Sequence, residues 1–199
     1  GRKRLGNGGV RATRTVPAGI SHGPGTSPGP PKALVRTPDE ARARIRQYHD
    51  RGYVQINVYS SVKPELVPVI VQEAHRLGMR VSGHIPAQMI AEQAIRDGFD
   101  EMQHMNFVFL NFMPDVKETR TPARFIEPAK RSADIDVKSK PVRDFIALLK
   151  ERKTVIDPTL VAFEGMITGR PGKPDPSFAS VIDRMPANVR RSFFSGGLD

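Results

Sequence analysis

The 199-residue chain contains no cysteine. That removes disulfides, thiolate metal sites and cysteine nucleophiles together. No apolar run approaches the ~20 residues of a membrane span, so a membrane is not an expected partner. Acidic and aromatic residues are both missing from positions 1–36, where Arg2, Lys3, Arg4, Arg11, Arg14, Lys32 and Arg36 lie. These carry most of the net charge of +10 and leave the rest of the chain only mildly basic. A basic head with no ring to stack on a base reads as a solvated tail, and nucleic acid is not an expected partner. Also missing are an initiator Met and, behind Gly1-Arg2-Lys3-Arg4, the apolar stretch of a secretory signal. The lack of Met suits a piece of a longer protein.

What is present is enough for one domain with a core, with 38% apolar residues. The length falls short of the roughly 250 residues of a complete (β/α)₈ barrel. Residues 1–36 are rich in Gly and Pro and close on Gly23-Pro24-Gly25-Thr26-Ser27-Pro28-Gly29-Pro30-Pro31. Neither helical nor strand periodicity runs through them, so they are expected to be a loop or disordered. Regular structure is expected over 37–199.

It starts with Thr37-Pro38-Asp39-Glu40. Thr37 can cap a helix, Pro38 needs no N–H partner in the first turn, and Glu40 completes a capping box. That helix runs to about Asp50. Strands are expected at 53–59, 79–85, 99–104 and 154–157, each rich in β-branched or aromatic residues or bounded by Gly and Pro. Helices are expected at 64–77, 87–96 and 139–152. Residues 107–137, with Pro114, Pro122 and Pro128, read as a long irregular insertion, of a kind that often covers a site. Alternating strands and helices predict parallel βα units, in a doubly wound sheet or a barrel. No glycine-rich loop joins a strand to a helix, which argues against a nucleotide fold.

Three polar residues fall at or near the carboxyl ends of successive strands: Asn57, His84 and His104. Those ends form the active rim of parallel α/β folds. Two histidines on neighbouring strands can meet one zinc ion, or they can be hydrogen-bonded to loops. Tyr59 shares a strand face with Asn57 and can meet a substrate or pack in the core. Asn106 can line the same pocket or form a turn.

Four segments carry a more specific resemblance. They are Gln55-Ile56-Asn57-Val58-Tyr59-Ser60-Ser61; Glu73-Ala74-His75-Arg76-Leu77-Gly78 with Val81-Ser82-Gly83-His84-Ile85-Pro86-Ala87; Ala94-Ile95-Arg96-Asp97-Gly98-Phe99-Asp100-Glu101-Met102-Gln103-His104-Met105-Asn106; and Val155-Ile156-Asp157-Pro158-Thr159-Leu160. In this order they resemble the amidohydrolase superfamily, in its imidazolonepropionase-like and Xaa-Pro dipeptidase-like branch. The resemblance covers roughly residues 37–199. It implies a partial (β/α)₈ barrel of about four βα units, with His84 and His104 as metal ligands from the fifth and sixth barrel strands. It also implies a divalent metal, zinc by ligand type, and Tyr59 and Asn106 as substrate contacts. The implied activity is hydrolysis of a carbon–nitrogen bond in a small amide-type substrate, by metal-activated water.

The chain departs from that pattern in three ways. No H-x-H pair occurs, no aspartate strand follows Pro158-Thr159-Leu160, and Asn57 stands where a carboxylated lysine is common in the family. Two histidines fall short of the three or four ligands that zinc takes. The expectation is therefore a hydrolase in a longer parent, with the present chain an inactive fragment that binds metal weakly. The competing expectation is a non-catalytic amidohydrolase-like binding or scaffold module. An incomplete barrel leaves strand edges and apolar faces open, so self-association into a homo-oligomer is also expected.

Overall fold

A computed structural model describes residues 18–23, 33–174 and 176–195. The first helix starts as its sequence predicts. α1 spans Pro38–Asp50, and the Glu40 N–H donates to Thr37 Oγ1 at 3.2 Å. The Glu40 carboxylate reaches one residue further back than a simple capping box requires, accepting from the Arg36 N–H at 2.7 Å.

All the strand pairings between named elements are parallel. β1 (Ala18–His22) lies between β2 (Ala33–Leu34) and β3 (Gln55–Val58), and β4 (Arg80–Gly83) follows β3. β5 (Glu101–Gln103) pairs with β6 (Val155–Asp157). Asp100 joins the two groups, since its N–H donates to Val81 O at 3.0 Å and its carboxylate accepts from the Val81 N–H at 2.7 Å. The result is an α/β fold with a row of parallel strands; among the described residues the row does not close into a barrel.

Four of these strands fall where the sequence places them. β1 and β2 do not, because they lie within the segment expected to be a loop. The remainder of that segment, 1–17 and 24–32, lies outside the described residues. β1 has no alternating pattern to announce it. It is held by tertiary pairing with β3, and the ladder extends from the Tyr59 N–H to Ser21 O at 3.1 Å. Gly19 is needed there because a Cβ would come within 2.5 Å of the Tyr48 ring on α1.

Between β3 and β4 a 3₁₀ turn at Pro64–Leu66 leads into α2 (Val67–Arg76), with Pro68 in the first turn, where its missing N–H costs nothing. The next helix is shorter than expected. α3 covers only Ala91–Arg96, because Gln88 has φ +71° and donates its N–H to Lys117 O. The insertion at 107–137 is not irregular throughout. It contains most of α4 (Met105–Leu110) and all of α5 (Ala123–Arg131), which tolerates a buried Pro128. α6 (Lys140–Arg152) precedes β6. α7 (Leu160–Thr168) and α8 (Ala187–Ser192) follow it.

Alternation along the strands separates two faces. Ile56, Val58, Val81 and Met102 are fully buried, in one core with Ile70 and Ala74 of α2 and Ile95 of α3. Gln55, Asn57, Ser82 and Gln103 occupy the other face and bond to one another. Gln55 Nε2 donates to Ser82 Oγ at 2.6 Å, and Asn57 Nδ2 to Gln103 Oε1 at 2.9 Å. This polar face leads directly to the carboxyl rim.

Candidate metal centre

His84 stands immediately beyond β4. Its approach depends on Gly83, which has φ +125° and whose missing Cβ would lie 2.2 Å from Val58 O. A side chain there is excluded both by conformation and by space. The His84 N–H then donates to Val58 O at 2.8 Å, fixing the backbone to β3. His104 stands immediately beyond β5 with φ +72°, a region non-glycine residues rarely enter. Its N–H donates to Asp157 O of β6 at 2.8 Å. Such outliers persist where surrounding structure over-determines them, and they cluster at functional sites.

The two imidazoles converge. His84 Nε2 and His104 Nε2 are 2.8 Å apart, with the rings nearly perpendicular at 80°. The far nitrogens are anchored by hydroxyls: His84 Nδ1 to Ser60 Oγ at 3.0 Å, and His104 Nδ1 to Thr159 Oγ1 at 2.8 Å. A hydroxyl can donate or accept, so either tautomer of each ring is satisfied. When the two Nε2 atoms face each other, one must carry the proton between them. When both hold their protons on Nδ1, both Nε2 lone pairs point into the same space.

Burial pushes the His104 pKa below its ordinary value. Asp157 opposes that shift, and Arg124 adds to it. The net effect favours the neutral imidazole, the form that binds a metal.

Aromatic rings enclose the pair. Tyr59 lies over His84 at 4.4 Å between ring centroids, tilted by 30°. Phe107 is 5.5 Å from His84, and Phe163 of α7 is 6.4 Å from His104. Asn106 is almost completely buried. Its amide donates to Arg124 O at 3.1 Å, while its Oδ1 has no hydrogen-bond donor among the described residues. Asn57 sits one layer deeper, on Gln103.

Zinc–nitrogen bonds of about 2.0–2.1 Å at a tetrahedral angle put two nitrogens roughly 3.3 Å apart. The observed 2.8 Å therefore needs the rings to part by about half an ångström. In ligand type, direction and hydroxyl anchoring the pair suits a divalent cation. In number it does not complete a site: among the described residues no group of three His, Cys, Asp or Glu side chains comes together.

Of the four residues expected at the site, the structure brings His84, His104 and Tyr59 together and holds Asn106 buried on Arg124 O. Ser60 and Thr159 are not among the four, although both fall inside the quoted segments. Their role depends on side chains 24 and 55 residues away in sequence. His22, given no role from sequence, ends β1 beside β3.

Neither a family model nor a curated protein sequence matches the chain. Solved structures do. Bottromycin amidohydrolase superposes with a TM-score of 0.57 at 22% identity, over 86% of this chain and 34% of that one. A Xaa-Pro dipeptidase with methionine bound in its active site gives 0.49 at 20% identity, over 82% and 39%. The ochratoxinase of A. niger gives 0.44 at 18%, over 78% and 48%. The chain thus spans between a third and a half of the length of these structures. In its described part the chain shares the fold of the corresponding part of bottromycin amidohydrolase.

Proposed function

We propose that the chain supplies part of the metal-binding rim of a (β/α)₈-barrel hydrolase that cleaves a carbon–nitrogen bond in a small amide-type substrate. The observation that carries this reading is the 2.8 Å approach of the two Nε2 atoms, each ring held from behind by a hydroxyl. His84 and His104 would hold a divalent cation, zinc by ligand type, with further ligands from beyond this pair. Such a cation polarises a carbonyl and lowers the pKa of water. The chain's own residues have narrower tasks. Ser60 and Thr159 would accept the Nδ1 protons when both Nε2 atoms turn to the cation. Phe107 and Phe163 limit water around the rings. The Tyr59 ring covers His84 and would meet the polar end of a substrate, while the buried Asn106 would shape the pocket from behind by holding Arg124 O.

A second reading is a non-catalytic module of the same fold. It is favoured by the absence of H-x-H anywhere in the sequence. Zinc titration followed by the imidazole resonances of His84 and His104 tests the metal site. Both should shift together, with an affinity weaker than micromolar, and His84→Ala or His104→Ala should abolish the response. Unmoved resonances at millimolar zinc would sink the metal reading. Turnover of simple amides by a zinc-loaded chain would remove the second one.

A further inference from the structure

β6 runs into α7 through Asp157-Pro158-Thr159, and the turn is tight. Thr159 has φ +48° and ψ +44°, in the left-handed region, and its N–H donates to Asp157 Oδ1 at 3.2 Å. A strained strand-to-helix turn is one setting that lifts a nucleophilic hydroxyl clear of a sheet. Thr159 does not cap its own helix. Its Oγ1 turns to His104 Nδ1 at 2.8 Å instead. We propose that Thr159 is a nucleophile with His104 as its general base, and that the chain cleaves small esters through an acyl-threonine. The proposal goes beyond the metal reading and does not rest on it.

A nucleophile and its base belong within about 2.6–3.2 Å of each other, with the base oriented by a third group. The Thr159–His104 pair meets the distance, and His84 supplies the third group, Nε2 to Nε2 at 2.8 Å. The protons run one way along this row. Thr159 O–H donates to His104 Nδ1, His104 Nε2–H to His84 Nε2, and His84 Nδ1–H to Ser60 Oγ at 3.0 Å. That arrangement leaves no ring nitrogen unsatisfied. Access decides which hydroxyl reacts. Ser60 is 1% exposed, whereas Thr159 is half-buried and borders a cavity of about 550 Å³ through which an ester can arrive.

Donors for the developing oxyanion stand at the same turn. With Thr159 turned away, α7 has no side-chain cap, and the N–H groups of Leu160 and Val161 have no partner among the described residues. Unpaired N–H groups in the first turn of a helix favour negative charge. The step is then complete. The Thr159 proton passes to His104 Nδ1 as Oγ1 bonds to the ester carbonyl carbon, and the carbonyl electron pair moves onto oxygen. On collapse the bond to the alcohol breaks, and the alcohol leaves with the proton from His104. Water, activated by the same base, splits the acyl-threonine into the free acid and returns the proton to Oγ1.

A cation on His104 Nε2 would turn the Nδ1 proton toward Thr159 and leave the hydroxyl without a base. The two uses of His104 therefore exclude each other.

The test follows 4-nitrophenolate release from 4-nitrophenyl acetate by the full chain in EDTA, with tandem mass spectrometry of the quenched protein to locate the acetyl group. Thr168, on the same helix, bonds only to Glu164 O through its hydroxyl and serves as the internal control. Acetyl should enter Thr159 about 100-fold faster than Thr168, the lower end of what a positioned base contributes. Thr159→Val and His104→Ala should each remove the fast release, and Thr159→Ser should keep it. His84 acts through His104, so His84→Leu should slow acetylation, and His84→Gln, whose amide oxygen can take the same Nε2 proton, should restore it. Unchanged release in a folded Thr159→Val variant would overturn the proposal, as would acetyl found on His104 with none passing to Thr159. Thr159→Ser keeps the hydroxyl, so its activity decides the matter even if Thr159→Val misfolds. Millimolar zinc separates the two readings. Thr159-dependent acetylation that ignores zinc would remove the metal site and leave the nucleophile standing, whereas zinc binding without such acetylation would do the reverse.

Discussion

Asn57 donates its amide N–H to Gln103 Oε1 across 2.9 Å, tying β3 to β5 over the strand that separates them. The bond is half buried and belongs to the polar layer beneath the histidines. Asn57→Leu leaves Gln103 Oε1 without its donor in a partly desolvated place. The expected loss is about 1 kcal/mol of stability, read from urea denaturation. A variant as stable as the parent would mean that water replaces the bond without cost.

That bond also shows where sequence reading stops. The cap at Thr37, four of the six strands and the two rim histidines are local signals, carried by residues next to one another. The pairing of Asn57 with Gln103 spans 46 residues and has no local pattern. β1 was hidden for the same reason, since its five residues become a strand only by lying on β3. α5 was hidden for another: Pro128 argues against a helix locally, and burial of its ring outweighs that argument. The hydroxyl anchors of the histidines appear only once distant segments are placed together.

Gly83 should be irreplaceable by alanine. The methyl group would face Val58 O at 2.2 Å and be held at φ +125°. Gly83→Ala is expected to cost about 2–3 kcal/mol, close to the upper range for local backbone strain. It should also displace His84, so the His84 imidazole resonances should move even where the variant stays folded.

Glu73 links stability to pH. Its nearly buried carboxylate accepts from Arg76 at 2.7 Å and from Arg46 of α1 at 2.6 Å. These hydrogen bonds, that from Arg76 foremost, hold its pKa down at about 2, against an ordinary 4.5. A depressed carboxylate stabilises the fold fully above its unfolded pKa and loses that contribution as protons bind. The chain should therefore weaken progressively as pH falls from about 4.5 toward about 2. Glu73→Gln should flatten that part of the profile and cost about 1–2 kcal/mol at neutral pH, a modest figure because both arginines remain half exposed. An unchanged acid limb in the variant would show that other carboxylates govern it.

Self-association should run through the β6 side of the molecule. β6 ends its row among the described strands, and Val155 on it is 48% exposed. Leu160 and Val161 at the start of α7 are 57% and 75% exposed. An open strand edge beside apolar side chains favours pairing with another chain. Sedimentation velocity should show mass rising with concentration, and Val155→Lys with Val161→Lys should return the chain to a monomer. A parent monomeric at high concentration would mean this surface is left open without penalty.

Thr159 offers the sharpest separation between a metal site and a pair of structural histidines. Its Oγ1 meets His104 Nδ1 at 2.8 Å, and its own backbone sits at φ +48°, held by an N–H bond to Asp157 Oδ1. If His104 only packs, Thr159→Val removes one hydrogen bond and costs about 1 kcal/mol of stability. If His104 binds a cation, the same change also frees the proton that kept Nε2 available. Partners of this kind are worth about 10-fold to 100-fold in metal affinity. Zinc affinity should then fall by about 10-fold in Thr159→Val, and Thr159→Ser, which keeps the hydroxyl, should restore it. A structural role predicts that serine and valine differ in stability alone. Equal zinc affinity in both variants would remove the hydroxyl from the metal site, because only the position of a proton on His104 distinguishes the two cases.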